Sequence, residues 1–440
     1  MKFGSMTAIA VAAALAACSA TQSIPDVQIK GFTQSKPTTL SAHFEKLYVE
    51  GEHNAVLNLN ALAQAALSIG EFAVAEKALD KAIARIDSVY ADNESAKTAR
   101  SLWAKESNKD FKGEPYERAL TYYYRGLLYL REGDYQNARA MFLAADFQDT
   151  VAEQEEFQSD FGLMPWLAAW ASHCDGDAVR ANELYTRALE ANRARWSGRS
   201  PDINWLLLVE SGSGPVKTLA GKHKEKLVIE KPASTTQAPT IARLDGVTAT
   251  DPGLSLAGDV IYQATTRGGR AFQEILDGKA AFKDSSEALG MHSTLMSQQA
   301  INNASYTNNR DMANIGGLFA IVGLVSTIAS ISTKPEADNR AWTQVPGAIH
   351  LTKGRLVDAV TRADVLVSYR ASDGQSRNVT PAFSTNGRGC GLAYVMAREP
   401  ESLAPGRVKA ATLEREEADN KFRAELERDF GSAVIRSAKL

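Results

Sequence analysis

Gly133-Asp134-Tyr135-Gln136-Asn137-Ala138-Arg139-Ala140-Met141-Phe142-Leu143-Ala144-Ala145 decides how the first half of this 440-residue chain is built. A glycine is followed two residues later by an aromatic, then by alanine, a bulky residue and alanine at steps of three, four and three. Two other segments keep the steps: Gly70, Phe72, Ala75, Leu79, Ala82, and Gly176, Ala178, Ala181, Tyr185, Ala188. The glycine ends one helix and permits the tight turn into the next. The alanines let paired helices approach, and the bulky residue between them fills the groove.

Gly126 and Tyr129 add a small residue and an aromatic ahead of the second copy. Together these segments resemble tetratricopeptide repeats over about residues 54–195. The copies are 63 and 43 residues apart, against a family period of about 34. Extra chain, such as Tyr90 to Gly113, must form loops or added helix. The expectation is therefore a degenerate array of helix pairs over 41–198. Such arrays present a concave face to peptides or proteins. Arg118, Arg125, Asp134, Asp177, Arg180 and Arg187 are candidates for that face, though each also reads as solvated helix surface.

Composition narrows the class. Forty-nine Lys+Arg against 52 Asp+Glu leave a net charge of -3, with 44% hydrophobic and 23% charged residues. That balance excludes a strongly basic nucleic-acid binder and an acidic disordered chain. Three cysteines are too few for a disulfide scaffold.

The N-terminus sets the compartment. Lys2 precedes an uninterrupted small apolar run, Ala8 to Ala17, too short to span a bilayer. Leu15-Ala16-Ala17-Cys18 resembles the bacterial lipobox. The resemblance implies cleavage after residue 17 and a diacylglycerol on the Cys18 thiol, with a further acyl chain on the new amino group. Several chains anchor far more firmly than one. Ser19 stands where an inner-membrane retention Asp would be, so the resemblance implies the periplasmic face of the outer membrane. Residues 18–40, with Pro25 and Pro37, read as a lipidated tether. Cys174 and Cys390 remain, in segments assigned to different domains. A periplasmic disulfide and two buried thiols are both open.

After Trp196 the pattern changes. Ile203 to Glu210 reads as a buried strand and Ser211-Gly212-Ser213-Gly214-Pro215 as a turn. Lys226–Glu230, Ala348–Leu351, Asp364–Arg370 and Leu392–Arg398 read as strands, Asp373-Gly374 as a turn, and 232–252 as loop or edge strand. The fold class is α+β: tetratricopeptide-like helices, then a mainly antiparallel β domain over 199–405 with a long helical insertion at about 271–333. Within the insertion, Met312 to Thr333 is uncharged and long enough to span a membrane. Ala313, Gly316, Ala320, Gly323 and Thr327 share one helix face and form a membrane or assembly helix candidate. It can pack on its own domain, enter a membrane, or serve self-assembly. Residues 406–440 read as a solvated, charged helix.

The lipobox, the repeats, Leu208 to Lys217 and the block Ala337, Asp338, Arg340, Trp342 and Pro346 together resemble a family of bacterial lipoproteins of unassigned function. The resemblance covers most of the chain and implies architecture rather than chemistry. In the block, Trp342 is expected to anchor the core and Asp338 and Arg340 to hold a helix-to-strand junction. No phosphate-binding glycine loop, nucleophile elbow or paired metal-ligand spacing is present in the sequence. Gly387-Arg388-Gly389-Cys390-Gly391 invites a thiol-nucleophile reading but fits a β turn better. The expectation is a non-enzymatic outer-membrane lipoprotein without cofactor, metal or nucleic acid. It would serve as a periplasmic adaptor that holds a periplasmic or outer-membrane protein, with homo-oligomerisation a further expectation. The alternatives are an accessory lipoprotein regulating a peptidoglycan synthase, and a cell-wall or polysaccharide hydrolase with two close carboxylates in the second half.

Overall fold

The computed structural model describes residues 24–88, 110–149, 161–191, 203–265 (without 223, 225, 233–236 and 252), 338–357, 362–399 (without 388), 403, 406 and 413–431. The expected signal peptide and Cys18, and the insertion with Ala313, Gly316, Ala320, Gly323 and Thr327, lie outside the described residues. Among the described residues no helix is long and apolar enough to cross a membrane.

Two helices lead in, α1 (Asp26–Thr33) and α2 (Ser41–Glu50). Three helix pairs follow: α3 (Ala55–Ser68) with α4 (Phe72–Asp87), α5 (Pro115–Glu132) with α6 (Tyr135–Asp149), and α7 (Leu163–Cys174) with α8 (Ala178–Ala191). The turns within the pairs are alike. Gly70, Gly133 and Gly176 have φ of 79°, 72° and 84°, the left-handed region where a side chain is penalised. The next N–H bonds a carbonyl five residues back in each: Glu71 to Ala66, Asp134 to Tyr129 and Asp177 to Ser172. This is the Schellman closure, which satisfies carbonyls that the ending helix leaves free. Leu79, Phe142 and Tyr185 are buried, as are the alanines that flank them. The pairs stack in order, α4 on α5 and α6 on α7.

The second half forms one large sheet in the order β10-β11-β1-β7-β5, with β6 also on β7. The strands are β1 (Trp205–Ser211), β5 (Val247–Ala249), β6 (Ser255–Asp259), β7 (Ala348–Leu356), β10 (Phe383–Gly387) and β11 (Cys390–Ala397). β1 runs parallel to β11; the other pairings are antiparallel. β2 (Val216–Ala220) and β3 (Lys226–Glu230) make a hairpin, and β4 (Thr240–Asp245), β8 (Asp364–Arg370) and β9 (Ser376–Val379) a second small sheet. A short helix, α9 (Val260–Thr265), follows β6, and α10 (Leu413–Asp429) is the last element.

Every residue of β1 is buried, because both sheet faces are covered. Leu206, Leu208, Leu392 and Tyr394 belong to the core shared with the helices. Trp205, Leu207, Val209, Ala393 and Val395 pack with Val365 and Val367 of the small sheet. Alternation along the strand thus serves two cores, giving three layers: helices, large sheet, small sheet.

Three expectations change and a fourth is met. The segment 26–40 is not a free tether: α1 and a 3-10 turn at Thr38–Leu40 bury Phe32 and Leu40, with Phe32 stacked on Tyr48 at 4.8 Å. The boundary at 198/199 does not divide two cores, because one apolar cluster runs from the helix pairs into the sheet. Part of 232–252, expected as loop or edge strand, supplies β4 and β5, both at sheet edges as that reading allowed. Residues 413–430 are not a solvated helix, since Phe422, Leu426 and Phe430 are buried.

Candidate functional site

Two of the first helices of the pairs, α5 and α7, are deeply buried. All ten residues of α7 from Leu163 to Ser172 are buried, and so is most of α5. What covers them is the chain's own sheet. Tyr124 meets Glu210 of β1, Arg131 O accepts from Thr385 Oγ1 of β10, and His173 Nε2 lies 2.9 Å from Ile203 O. Gly258 lies so close to α7 that a Cβ there would meet Phe161 and Leu163 at 2.9 and 3.0 Å. The face expected to receive a partner is therefore filled intramolecularly.

The candidate surface residues follow suit. Arg125 Nε donates to Asp80 Oδ1 at 2.7 Å and its guanidinium covers the Tyr129 ring at 3.8 Å. Arg187 pairs with Asp146 and so ties α8 to α6. Arg118 bonds Gln148 and Gly113 O. Asp134 and Asp177 accept from the N–H groups of Asn137 and Arg180, at the first turns of the second helices. Arg118, Arg125 and Arg187 thus join helices, whereas Asp134 and Asp177 cap the helices that follow them and Arg180 makes an exposed pair with Asp177 at 3.5 Å.

Between helices and sheet lie two buried polar centres. In the first, Lys217 Nζ of β2 donates to Glu117 Oε2 of α5 at 2.7 Å, with both side chains about 1% exposed. Trp342 N–H donates to Glu117 Oε1 at 2.8 Å, and Arg340 O accepts from Lys217 at 3.0 Å. Glu117 also closes the capping box that starts α5. The block expected as structural meets here. Arg340 binds Asp338 at 2.7 to 3.0 Å, and its Nη1 reaches Asn54 Oδ1 at 2.8 Å and His53 O at 3.2 Å. Trp342 is buried, 5.6 Å from Tyr124 between ring centres. The block so joins the start of α3 and α5 to the sheet; Ala337 lies outside the described residues.

In the second centre, Gln64 Nε2 donates to Tyr124 OH at 2.6 Å, and Tyr124 OH to Glu210 Oε2 at 3.0 Å. Arg398 Nη2 lies 3.4 Å from the same oxygen. Burial pushes the Glu210 carboxyl up, and the Arg398 charge opposes it. Burial also raises Tyr123, Tyr124 and Tyr394 well above the ordinary phenol range.

One arrangement resembles a catalytic pair. Ser211 Oγ lies 3.0 Å from His350 Nε2. Burial lowers the imidazole to about 4, with the Asp259 charge opposing, so it is neutral at pH 7. Both side chains are buried, and Asp259 Oδ1 already accepts from Tyr262 N–H at the start of α9. Sequence reading missed this pair, because 139 positions separate its members and Ser211 read only as the start of a turn. Among the described residues, Glu76 and Glu132 on the helical half share a hydrogen bond between carboxyls. Among the described residues, no group of three or more His, Cys, Asp and Glu is placed to hold a metal. His173 stacks on Trp170, and Asp175 faces Arg139.

Cys390 is not a free thiol. It is bonded to Cys174, joining the start of β11 to the end of α7 with Cα atoms 5.8 Å apart. Of the two states open in the sequence, the structure has the disulfide. Gly387, Gly389 and Cys390 form the β10–β11 turn, with Gly389 at φ 90°.

No protein-family model, no curated protein and no solved structure matches this chain.

Proposed function

We propose that this chain is a lipid-anchored scaffold of the bacterial cell envelope. It is an outer-membrane lipoprotein facing the periplasm, with tetratricopeptide-like helices, and it holds a protein partner rather than transforming a substrate. The observation that carries the reading is the Cys174–Cys390 bond between helix array and sheet. Disulfides persist in the periplasm and are rare in the cytosol, so the bond and the Leu15-Ala16-Ala17-Cys18 lipobox point to one compartment independently. Because the inner face of the array is filled by the sheet, the partner meets outer helices, strand edges or the insertion.

Two measurements test the reading. Cys18→Ser should move the mature protein from the membrane fraction to the soluble periplasmic fraction. A variant that stays in the membrane would make the 312–333 segment the anchor and remove the lipid-anchor claim. Affinity capture of the wild-type chain from mildly crosslinked membranes, read by mass spectrometry, should recover one dominant envelope protein. Recovery of this chain alone, as a large complex, would replace the adaptor reading with self-assembly.

A further inference from the structure

A surface cavity of about 600 Å³ opens between α1 and the outward side of α10. Gln28 and Lys36 line it from the α1 side, Arg423 and Glu427 from α10, and the rings of Phe32 and Tyr48 lie between them.

Its cations are under-compensated. Lys36 is only 8% exposed. Its Nζ donates to Ser35 Oγ at 3.1 Å and to Phe430 O, and lies 4.5 Å from the centre of the Phe32 ring. All of these partners are neutral, and among the described residues no carboxylate makes an ion pair with Lys36. An ammonium has three N–H donors, and the two oxygens use two of them. Burial lowers the Lys36 pKa, with the Glu427 charge opposing. A buried charge is costly unless an opposite charge reaches it. Arg423 brings a second cation. Its Nε donates to Tyr48 O and its Nη1 to Asn420 Oδ1, each at 3.0 Å, which leaves Nη2 for a ligand. The carboxylate in the lining, Glu427, already accepts from Tyr48 OH at 2.8 Å. The cavity therefore carries a positive excess and suits an anion.

The covalent chain says which anion is near. Eight residues separate Cys18 from Asp26, a reach of at most about 29 Å fully extended. A compact chain of this length is roughly 55 Å across. With lipid on Cys18, the α1 end of the molecule stays beside the bilayer. Val27, next to Gln28 on α1, is 76% exposed, an apolar side chain suited to a headgroup layer.

We propose that the cavity between α1 and α10 binds the phosphate-bearing headgroup of a membrane phospholipid, with Lys36 and Arg423 on the phosphate. This rests on the lipid-anchored reading and gives the anchored scaffold one fixed face toward the bilayer. A single headgroup held without its acyl chains binds weakly, so the site orients the chain and does not replace the anchor.

The test uses the full mature chain as Cys18→Ser, so that no acyl anchor contributes. Vesicles of phosphatidylethanolamine and phosphatidylglycerol at millimolar lipid should sediment it, less so as salt rises. Gln28→Glu, which sets a carboxylate on the cavity wall, should weaken binding at least about 10-fold. Gln28→Lys should bind at least as well as the parent. Gln34→Glu, exposed on the same segment but outside the lining, should bind as the parent does. No sedimentation, or equal losses in Gln28→Glu and Gln34→Glu, overturns the proposal. Binding of free glycerol phosphate without vesicle binding would assign the cavity to a soluble phosphate ester and overturn the lipid assignment. If Gln28→Glu loses its native circular dichroism, Arg423→Gln takes its place under the same criterion. Because the anchor is absent throughout, failure here removes the headgroup site alone, and fractionation of Cys18→Ser cells judges the anchor separately.

Discussion

His350 and Glu76 titrate in opposite senses, and both signs follow from where they sit. Burial lowers His350 from 6.5 to about 4, Asp259 opposing. As pH falls, the unfolded chain takes up this proton first. The stability tied to neutral His350 is intact above about pH 6.5 and lost on acidification through about 4, amounting to about 3 kcal/mol at most. Glu76 is raised from 4.5 to about 7, by burial first, then by the hydrogen bond and charge of Glu132, with Arg125 and Arg131 opposing. Its contribution is present below about pH 4.5 and lost as pH rises through about 7. In urea titrations between pH 4 and 8, His350→Asn should flatten the acid limb and Glu76→Gln the neutral limb. A wild-type profile in either variant would refute that assignment. Neither site was legible in the sequence, because each depends on neighbours from other elements. The block Asp338, Arg340 and Trp342 was legible, since a lone Trp beside an Asp and an Arg suggests a buried anchor with a polar clamp. Its partners Glu117 and Lys217 were not, because each in isolation reads as a solvated charge.

At the scale of elements, Gly126 is where the second helix pair is tightest. A Cβ there would lie 2.6 Å from Phe142 Cε1, inside a buried contact. Gly126→Val should destabilise by about 1–3 kcal/mol despite valine's better helix propensity, through overpacking. A melting temperature equal to wild type would mean that the pairs are looser than the packing implies. The small residue at Gly126 was legible as a repeat-like position, but its contact with Phe142 was not, because spacing along the chain does not tell which side chain faces it across the pair. Lys226–Glu230 and Asp364–Arg370 were equally legible, as short β-rich runs between turn residues. Two helices were misread. α1 is eight residues long and follows Pro25, so its composition suggested a linker. In α10 the density of charge hid Phe422, Leu426 and Phe430, whose spacing of four was the better signal.

Over the whole molecule, the α+β class was legible but the assembly of its halves was not. Repeats predict a curved helical surface; nothing in their spacing tells that the same chain supplies what fills it. The answer lies in β1, whose alternation serves two cores and therefore requires a layer on each side. The disulfide then closes a separation of 216 residues between the layers. In the chain-entropy account, a loop of about that length is worth about 5 kcal/mol as an upper figure. Cys174→Ser/Cys390→Ser should lower the melting temperature by several degrees, and reductant should bring wild type to the same value. A variant that melts with oxidised wild type would show that the apolar core alone joins the layers.

The contact of Phe430 with Phe44 also fixes an order of events. A chain threaded N-terminus first across a membrane delivers residues 26–87 long before residue 430 arrives. The earliest core to emerge waits for the latest segment to cover it, and the Cys174 thiol waits for Cys390. During that interval Phe44 lacks its Phe430 cover, so on the proposed export route the rate of translocation, rather than the rate of local helix formation, sets how long this surface is exposed to aggregation.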